Sequence, residues 1–372
     1  MRMPPMIRSR LTDWTTVAPL VAVLVLVMTW GRELPGPLIF VVAALLAAAV
    51  LAAVHHAEVV AHKVGEPYGS LVLAVAVTVI EVGLIVTLMI SGGDKTQALA
   101  RDTVFAAVMI TCNGILGLSL LLGALRRQVA VFNPEGTGGA LATVATLATL
   151  SMVVPTFTTS RPGPEFSPAQ LAFAAVASLA LYLLFVMVQT GRHRDYFLPV
   201  TQEGSILAED KTGDGHAEPP STRTALASLA LLVVALVAVV GDAKTISPAI
   251  ETAVSAANLP QAFVGVVIAL LVLLPETLAA ARAARRDRVQ ISLNLALGSA
   301  MASIGLTIPA IAIASIWLDG PLMLGLGGTQ MTLLALTAVT AVLTVVPGRA
   351  TVLQGGVHLV LLAAFVFLAA SP

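Results

Sequence analysis

The chain has 372 residues, 58% of them hydrophobic and 11% charged, with a mean hydropathy of +0.95, which places it among polytopic membrane proteins and sets aside a pair of soluble domains. Its 20 basic and 20 acidic residues cancel, so no basic face offers itself to nucleic acid. The single cysteine, Cys112, excludes an intrachain disulfide and any multi-cysteine zinc site.

Crossing the hydrocarbon core takes about 20 mostly apolar residues. Apolar runs predict eleven spans in chain order: 14 to 30, 36 to 54, 68 to 90, 103 to 123, 138 to 159, 166 to 190, 224 to 241, 259 to 281, 290 to 317, 321 to 347 and 350 to 370. The first is short and follows Arg2, Arg8 and Arg10 like a signal sequence. Gly31, Arg32, Glu33 and Leu34 after it form no small-residue cleavage site, so it is read as a helix. A cytoplasmic N-terminus places fifteen of the 20 basic residues inside and five outside, the orientation that the positive-inside rule favours, and puts Pro372 outside. Residues 191–223, with Glu203, Glu209, Asp210, Asp214, His216 and Glu218, form a cytoplasmic acidic linker.

The expected fold is therefore all-α, with about eleven transmembrane helices. Its parts are a cytoplasmic N-terminus and extra helix (1–35), a five-helix half (36–190), the linker (191–223) and a second five-helix half (224–372). Five is odd, so homologous halves must lie in the membrane in opposite orientations, the inverted repeat of secondary transporters.

Within the expected spans only two carboxylates occur, Glu81 and Glu276, each in the second long span of its half; the other eighteen acids fall in connecting segments. A charged side chain at the bilayer centre costs about 2.5 to 3.5 kcal/mol on insertion scales, so an intramembrane acid is a functional candidate by default. VTVIEVGLIV (77–86) and VLLPETLAAA (272–281) align the two glutamates. ITCNGILGLSLLLGALR (110–126) and ALGSAMASIGLTIPAIA (296–312) then set Asn113 opposite Ser299. Thr111, Cys112, Asn113, Gly114 and Gly117, with Gly298, Ser299, Ser303 and Gly305, allow close backbone approach and supply oxygens. Helix packing alone also uses such small residues. Pro275, beside the second glutamate, frees a backbone carbonyl one turn earlier.

Calcium takes six to eight oxygen ligands, which two carboxylates with Asn113, Ser299, Thr111 and freed carbonyls can provide. Without the metal, two buried carboxylates repel and take up protons. Occupancy by metal or by protons in turn is what an antiporter requires, and no resident cofactor is called for. His55, Glu58 and His62 share one helical face at the inner end of the second span, as a weak metal site, a pH sensor or an interfacial cap. Gln354 and His358 are pathway candidates, with a helix-contact hydrogen bond as the alternative for His358. An intramembrane hydrolase is disfavoured, since the spans hold no paired Asp, no HExxH and no Ser with a neighbouring His base. A channel would be told from an exchanger by the proton dependence of flux.

The stretch HHAEVVAHKVGEPYGSLVLAVAVTVIEVGLI (55–85), TCNGILGLSLLLGALRR (111–127), LSMVVPTFTTS (150–160), LLPETLAAARAARRDRVQISLNLALGSAMASIGLTIP (273–309) and GRATVLQGGVHLVLLAAF (348–365) together resemble the bacterial calcium/proton antiporters of the calcium:cation antiporter superfamily. The resemblance runs from about residue 36 onward. It implies two inverted five-helix repeats and exchange of cytoplasmic calcium for external protons in a prokaryotic plasma membrane, with sodium or potassium exchange in some members. The signature glutamates of that family fall on Glu81 and Glu276, and its small polar segments on Thr111 to Gly117 and Gly298 to Ser303. Asn113 opposite Ser299, and the lack of a Gly-Asn-Ala-Thr-Glu form before Glu81, depart from the related vacuolar pattern and bear on ion selectivity. The implied partners are the lipid bilayer, inorganic cations and protons.

Overall fold

The computed structural model describes residues 13–32, 34–65, 68–92, 96–201, 220–318 and 320–372. Its helices in chain order are α1 (Trp14–Thr29), α2 (Gly36–Val64), α3 (Tyr68–Gly92), α4 (Leu99–Arg127), α5 (Pro134–Phe157), α6 (Pro168–Arg192), α7 (Thr222–Ala256), α8 (Ala262–Val272), α9 (Leu274–Arg285), α10 (Val289–Ala314), α11 (Gly328–Val345) and α12 (Val352–Ala370). Nine of these are long and apolar enough to cross a membrane, and α8 with α9 makes a tenth span bent by 52°. The first expected span, 14 to 30, corresponds to α1. At 16 residues it rises about 24 Å at 1.5 Å per residue, somewhat less than the hydrocarbon thickness. The acidic residues expected in the linker, Glu203 to Glu218, lie outside the described residues.

The first compact unit contains α1, α2, α3 and α7. Along α7, Ser228, Leu232, Ala235, Val239, Asp242 and Ile246 are buried at alternating steps of four and three, the spacing that lines one face of a helix. Val42, Leu46, Ala49, Ala53 and His56 repeat that pattern on α2, and α7 packs along α2, α1 and α3. The opposite sides are apolar and exposed, as at Phe40, Val79, Val233 and Val237. Lipid tails are as apolar as these side chains, so close packing selects the buried face. A Cβ on Gly83 would come within 2.6 Å of Val240 Cγ2, and one on Gly241 within 2.4 Å of Leu26.

The second unit is built on α4, where every residue from Leu99 to Leu116 except Arg101 is buried. A helix apolar all round belongs in the centre of a bundle. Around it lie α5, α6 and α8 to α12. A two-stranded ribbon, β1 (Ala130–Val131) with β2 (Arg349–Ala350), ties the turn after α4 to the turn before α12. Asn133 caps α5 by accepting from the Glu135 and Gly136 backbone N–H groups at 2.9 and 3.3 Å.

Two expected boundaries are corrected. The seventh span does not stop at 241; α7 continues fifteen residues further, through Asp242, Lys244 and Pro248, to Ala256. Lys244 exposes its ammonium and lies 5.2 Å over the Trp30 ring, so the charge leaves the bundle while the backbone stays helical. The statement that all acids but two lie in connecting segments therefore fails for Asp242 and Glu251 on α7, as it does for Glu58 on α2 and for Asp102 in the first turn of α4. The eighth span is two helices. Pro275 has no N–H and its ring collides with the carbonyl four residues back, so α8 ends at Val272 and α9 starts at Leu274 with Pro275 in its first turn.

Candidate ion-binding site

Glu81 lies in the first unit, in the middle of α3, and is 2% exposed with buried Thr78 one turn before it. Glu276 lies in the second unit, in the first turn of α9 directly after Pro275, and is half-buried. The positive end of the helix dipole favours negative charge there.

The segments carrying Asn113, Glu276 and Ser299 are packed together in the second unit. Residues Ile110–Ile115 of α4 form a π-helical turn, against which both α9 and the Val289–Gly305 part of α10 rest. Such bulges widen the hydrogen-bond ladder and frequently occur at functional sites. Thr111 is fully buried, and its hydroxyl donates back to the Ala107 and Val108 carbonyls at 2.7 and 3.0 Å. On α10, Gly298 and Ser299 are half-buried, and Ser303 is buried. The helix breaks at Leu306, three residues before Pro309.

Asn113 is fully buried and held on both sides. Its Nδ2 donates to Thr337 Oγ1 at 2.9 Å, and its Oδ1 faces His358 Nδ1 at 3.0 Å. His358 Nε2 faces Thr344 Oγ1 at 3.2 Å. Every atom finds a complement if neutral His358 donates from Nδ1 to Asn113 and accepts at Nε2 from Thr344. His358, a pathway candidate from the sequence, thus joins α4 to α12 and α11 through a buried polar network. The sequence reading missed Thr337 and Thr344, whose signal is their spacing of seven on one helical face.

The remaining candidates stand apart. Gln354 caps α12 by accepting from the Thr351 backbone N–H at 2.8 Å, so its amide oxygen serves the helix end. His55, Glu58 and His62 are all exposed on α2, and among the described residues no group of three His, Cys, Asp or Glu side chains is gathered to hold a metal. Their neighbour His56, not singled out from the sequence, is the buried one, with Nε2 3.0 Å from the Thr15 carbonyl.

Two stretches of the chain, 36–191 and 227–370, match the family described as sodium/calcium exchanger protein. The chain belongs to that family. Two curated relatives extend the match to nearly the full length. The putative ionic transporter y4hA of Sinorhizobium fredii is 45% identical over 366 residues, 96% of each chain. The sodium-potassium/proton antiporter ChaA of Escherichia coli is 33% identical over 363 residues, again 96% of each. Among solved structures, YfkE superposes with a TM-score of 0.68 at 16% identity, covering 96% of this chain and 98% of its own. The H+/Ca2+ exchanger CAX superposes with a TM-score of 0.66 at 16% identity, covering 96% and 94%. These two establish the fold of the exchanger. It is a multi-pass membrane transporter of cations, not an enzyme, and the resemblance read from its residues holds.

Proposed function

We propose that this exchanger moves cytoplasmic calcium outward against an inward flow of protons, and that Glu81 and Glu276 carry both ions in turn. The observation behind this reading is the placement of one carboxylate in each of the two family-matching stretches: Glu81 buried within α3, and Glu276 at the proline break that opens α9. A buried carboxylate is stable only when neutralised, by a metal with further oxygen ligands or by a proton. Competition between the two couples their gradients without another relay. Acidifying the side that loads the cation then slows exchange, because protons hold the carboxylates.

The solved H+/Ca2+ exchanger of the same fold supports calcium as the cargo. The 33% identical relative, a sodium-potassium/proton antiporter, supports a second reading in which sodium or potassium takes the place of calcium. A bacterial plasma membrane with a cytoplasmic N-terminus accords with the fifteen-to-five distribution of basic residues. Proton movement in everted vesicles, driven in turn by calcium, sodium and potassium, separates these readings. Calcium-driven proton efflux supports the first, a response to sodium or potassium alone supports the second, and no response to any of the three removes both.

A further inference from the structure

Asp242 is a fully buried acid for which neither the sequence reading nor the exchange cycle above has a use. It lies on the buried stripe of α7, is 0% exposed, and neither carboxylate oxygen has a hydrogen-bond partner among the described residues. Other acids within helices differ from it. Asp102 pairs with Arg101 at 2.8 Å, and Glu251 faces the Ser247 hydroxyl at 3.4 Å.

Its level in the first unit follows from three contacts. Gly241 abuts Leu26, Lys244 sits over Trp30, and Val240 abuts Gly83 of α3. From Leu26 to Trp30 and from Gly241 to Lys244 the chain advances the same way, so α1 and α7 run in parallel. Asp242 then lies about 3 Å along the axis from Lys244, which is exposed at the Trp30 end of α1. The titratable groups on the elements packed against α7 are few. α1 has none. On α2, His55, Glu58, His62 and Lys63 are exposed, while His56 contacts Thr15, about 16 Å from Leu26 along α1 at 1.5 Å per residue. α3 offers Glu81, two residues from Gly83, and Tyr68, which is exposed at its start. On α7 itself, beyond Lys244 and Glu251, there is only Arg223 in the first turn.

A carboxylate in this setting has to be neutralised. Calcium requires six to eight oxygens, whereas a proton suffices alone. We propose that Asp242 is a third proton-carrying carboxyl of the exchanger, protonated while buried against α1 to α3 and giving its proton to water near the Trp30 end of α1. Release breaks the O–H bond and leaves one negative charge, which a returning proton cancels. This rests on the proton-coupled reading above and adds a proton carrier on a different helix from either glutamate.

The full-length protein in proteoliposomes tests it, as wild type, Asp242→Asn and Asp242→Glu, with protons moved per cation recorded across a pH series. Asp242→Asn should move fewer protons per cation and flatten the pH profile, and Asp242→Glu should restore both. In the wild type, a hydrophobic carbodiimide should modify the peptide bearing Asp242, detected by mass spectrometry. An unchanged proton-to-cation ratio and pH profile in Asp242→Asn overturns the proposal, and so does an unmodified Asp242 in the wild type. If the Asn variant fails to insert, the wild-type adduct decides alone. If no cation drives proton flux in the wild type, the exchange reading fails separately, and the adduct still decides whether Asp242 is a protonated carboxyl that reagents can reach.

Discussion

Asn113 commits both ends of its amide to neighbours, one to Thr337 and one to His358, so its orientation within the π-helical turn is set from two other helices. Removing a buried partner leaves the remaining group desolvated and unbonded, which costs more than the bond itself contributes. His358→Ala strands both Asn113 Oδ1 and the Thr344 hydroxyl and opens a cavity. It should lower stability by about 2 to 4 kcal/mol. Thr337→Val leaves the Asn113 Nδ2 only its weak contact with Met109 Sδ at 3.8 Å and should cost about 1 to 3 kcal/mol. Thermal unfolding of the purified protein in detergent checks both, and equal small losses under about 1 kcal/mol would show that the network does not form. Asn113 and His358 were each visible in the sequence as polar residues in apolar helices. Their pairing was not, because 245 residues separate them and hydropathy carries no information about which helices touch.

At the scale of helices, two glycines show where close approach is structural and where it is not. A Cβ on Gly117 would lie 2.8 Å from His358 Cβ and 3.1 Å from the Gly355 carbonyl, so α4 and α12 meet at that point. Gly117→Val should force them apart at a cost of about 1 to 3 kcal/mol and break the Asn113–His358 contact. At Gly298 nothing among the described residues lies within 4 Å of an added Cβ. Gly298→Ala should therefore fold as well as wild type, and loss of exchange in it would report on the ion path and not on packing. Unfolding and transport measured on the same two preparations distinguish these outcomes. The carbonyl freed by Pro275 was legible because proline has no N–H, but the break into two helices there was not, since 259–281 reads as one apolar run. The length of α7 was not, since Asp242 and Lys244 interrupt the apolar run. Their compatibility with a helix depends on the packed stripe around Asp242 and on Trp30 beneath Lys244.

For the whole molecule, the charge distribution favours one orientation, with the N-terminus cytoplasmic, that labelling can test. In a Cys112→Ser background, Asp210→Cys should react only with cytoplasmic reagent and Ser371→Cys only with external reagent. Labelling of both from one side would remove the odd number of spans and the inverted-repeat argument with it. The helical, multi-span class was legible from hydropathy alone, because an apolar run of about 20 residues has few alternatives in a membrane protein, and among the described residues nine helices and one bent pair meet the length and composition of a span. The grouping of α7 with α1 to α3 was not legible, since it draws one helix from the second half of the sequence to three from the first part. The proposed exchange cycle turns on whether Glu81 and Glu276 ionise. Glutamine keeps the size and hydrogen bonding of glutamate without the charge. Calcium-dependent proton movement in proteoliposomes, with sodium and potassium as parallel arms, should therefore be lost in both Glu81→Gln and Glu276→Gln although each protein inserts and folds; wild-type exchange in either variant would contradict the account.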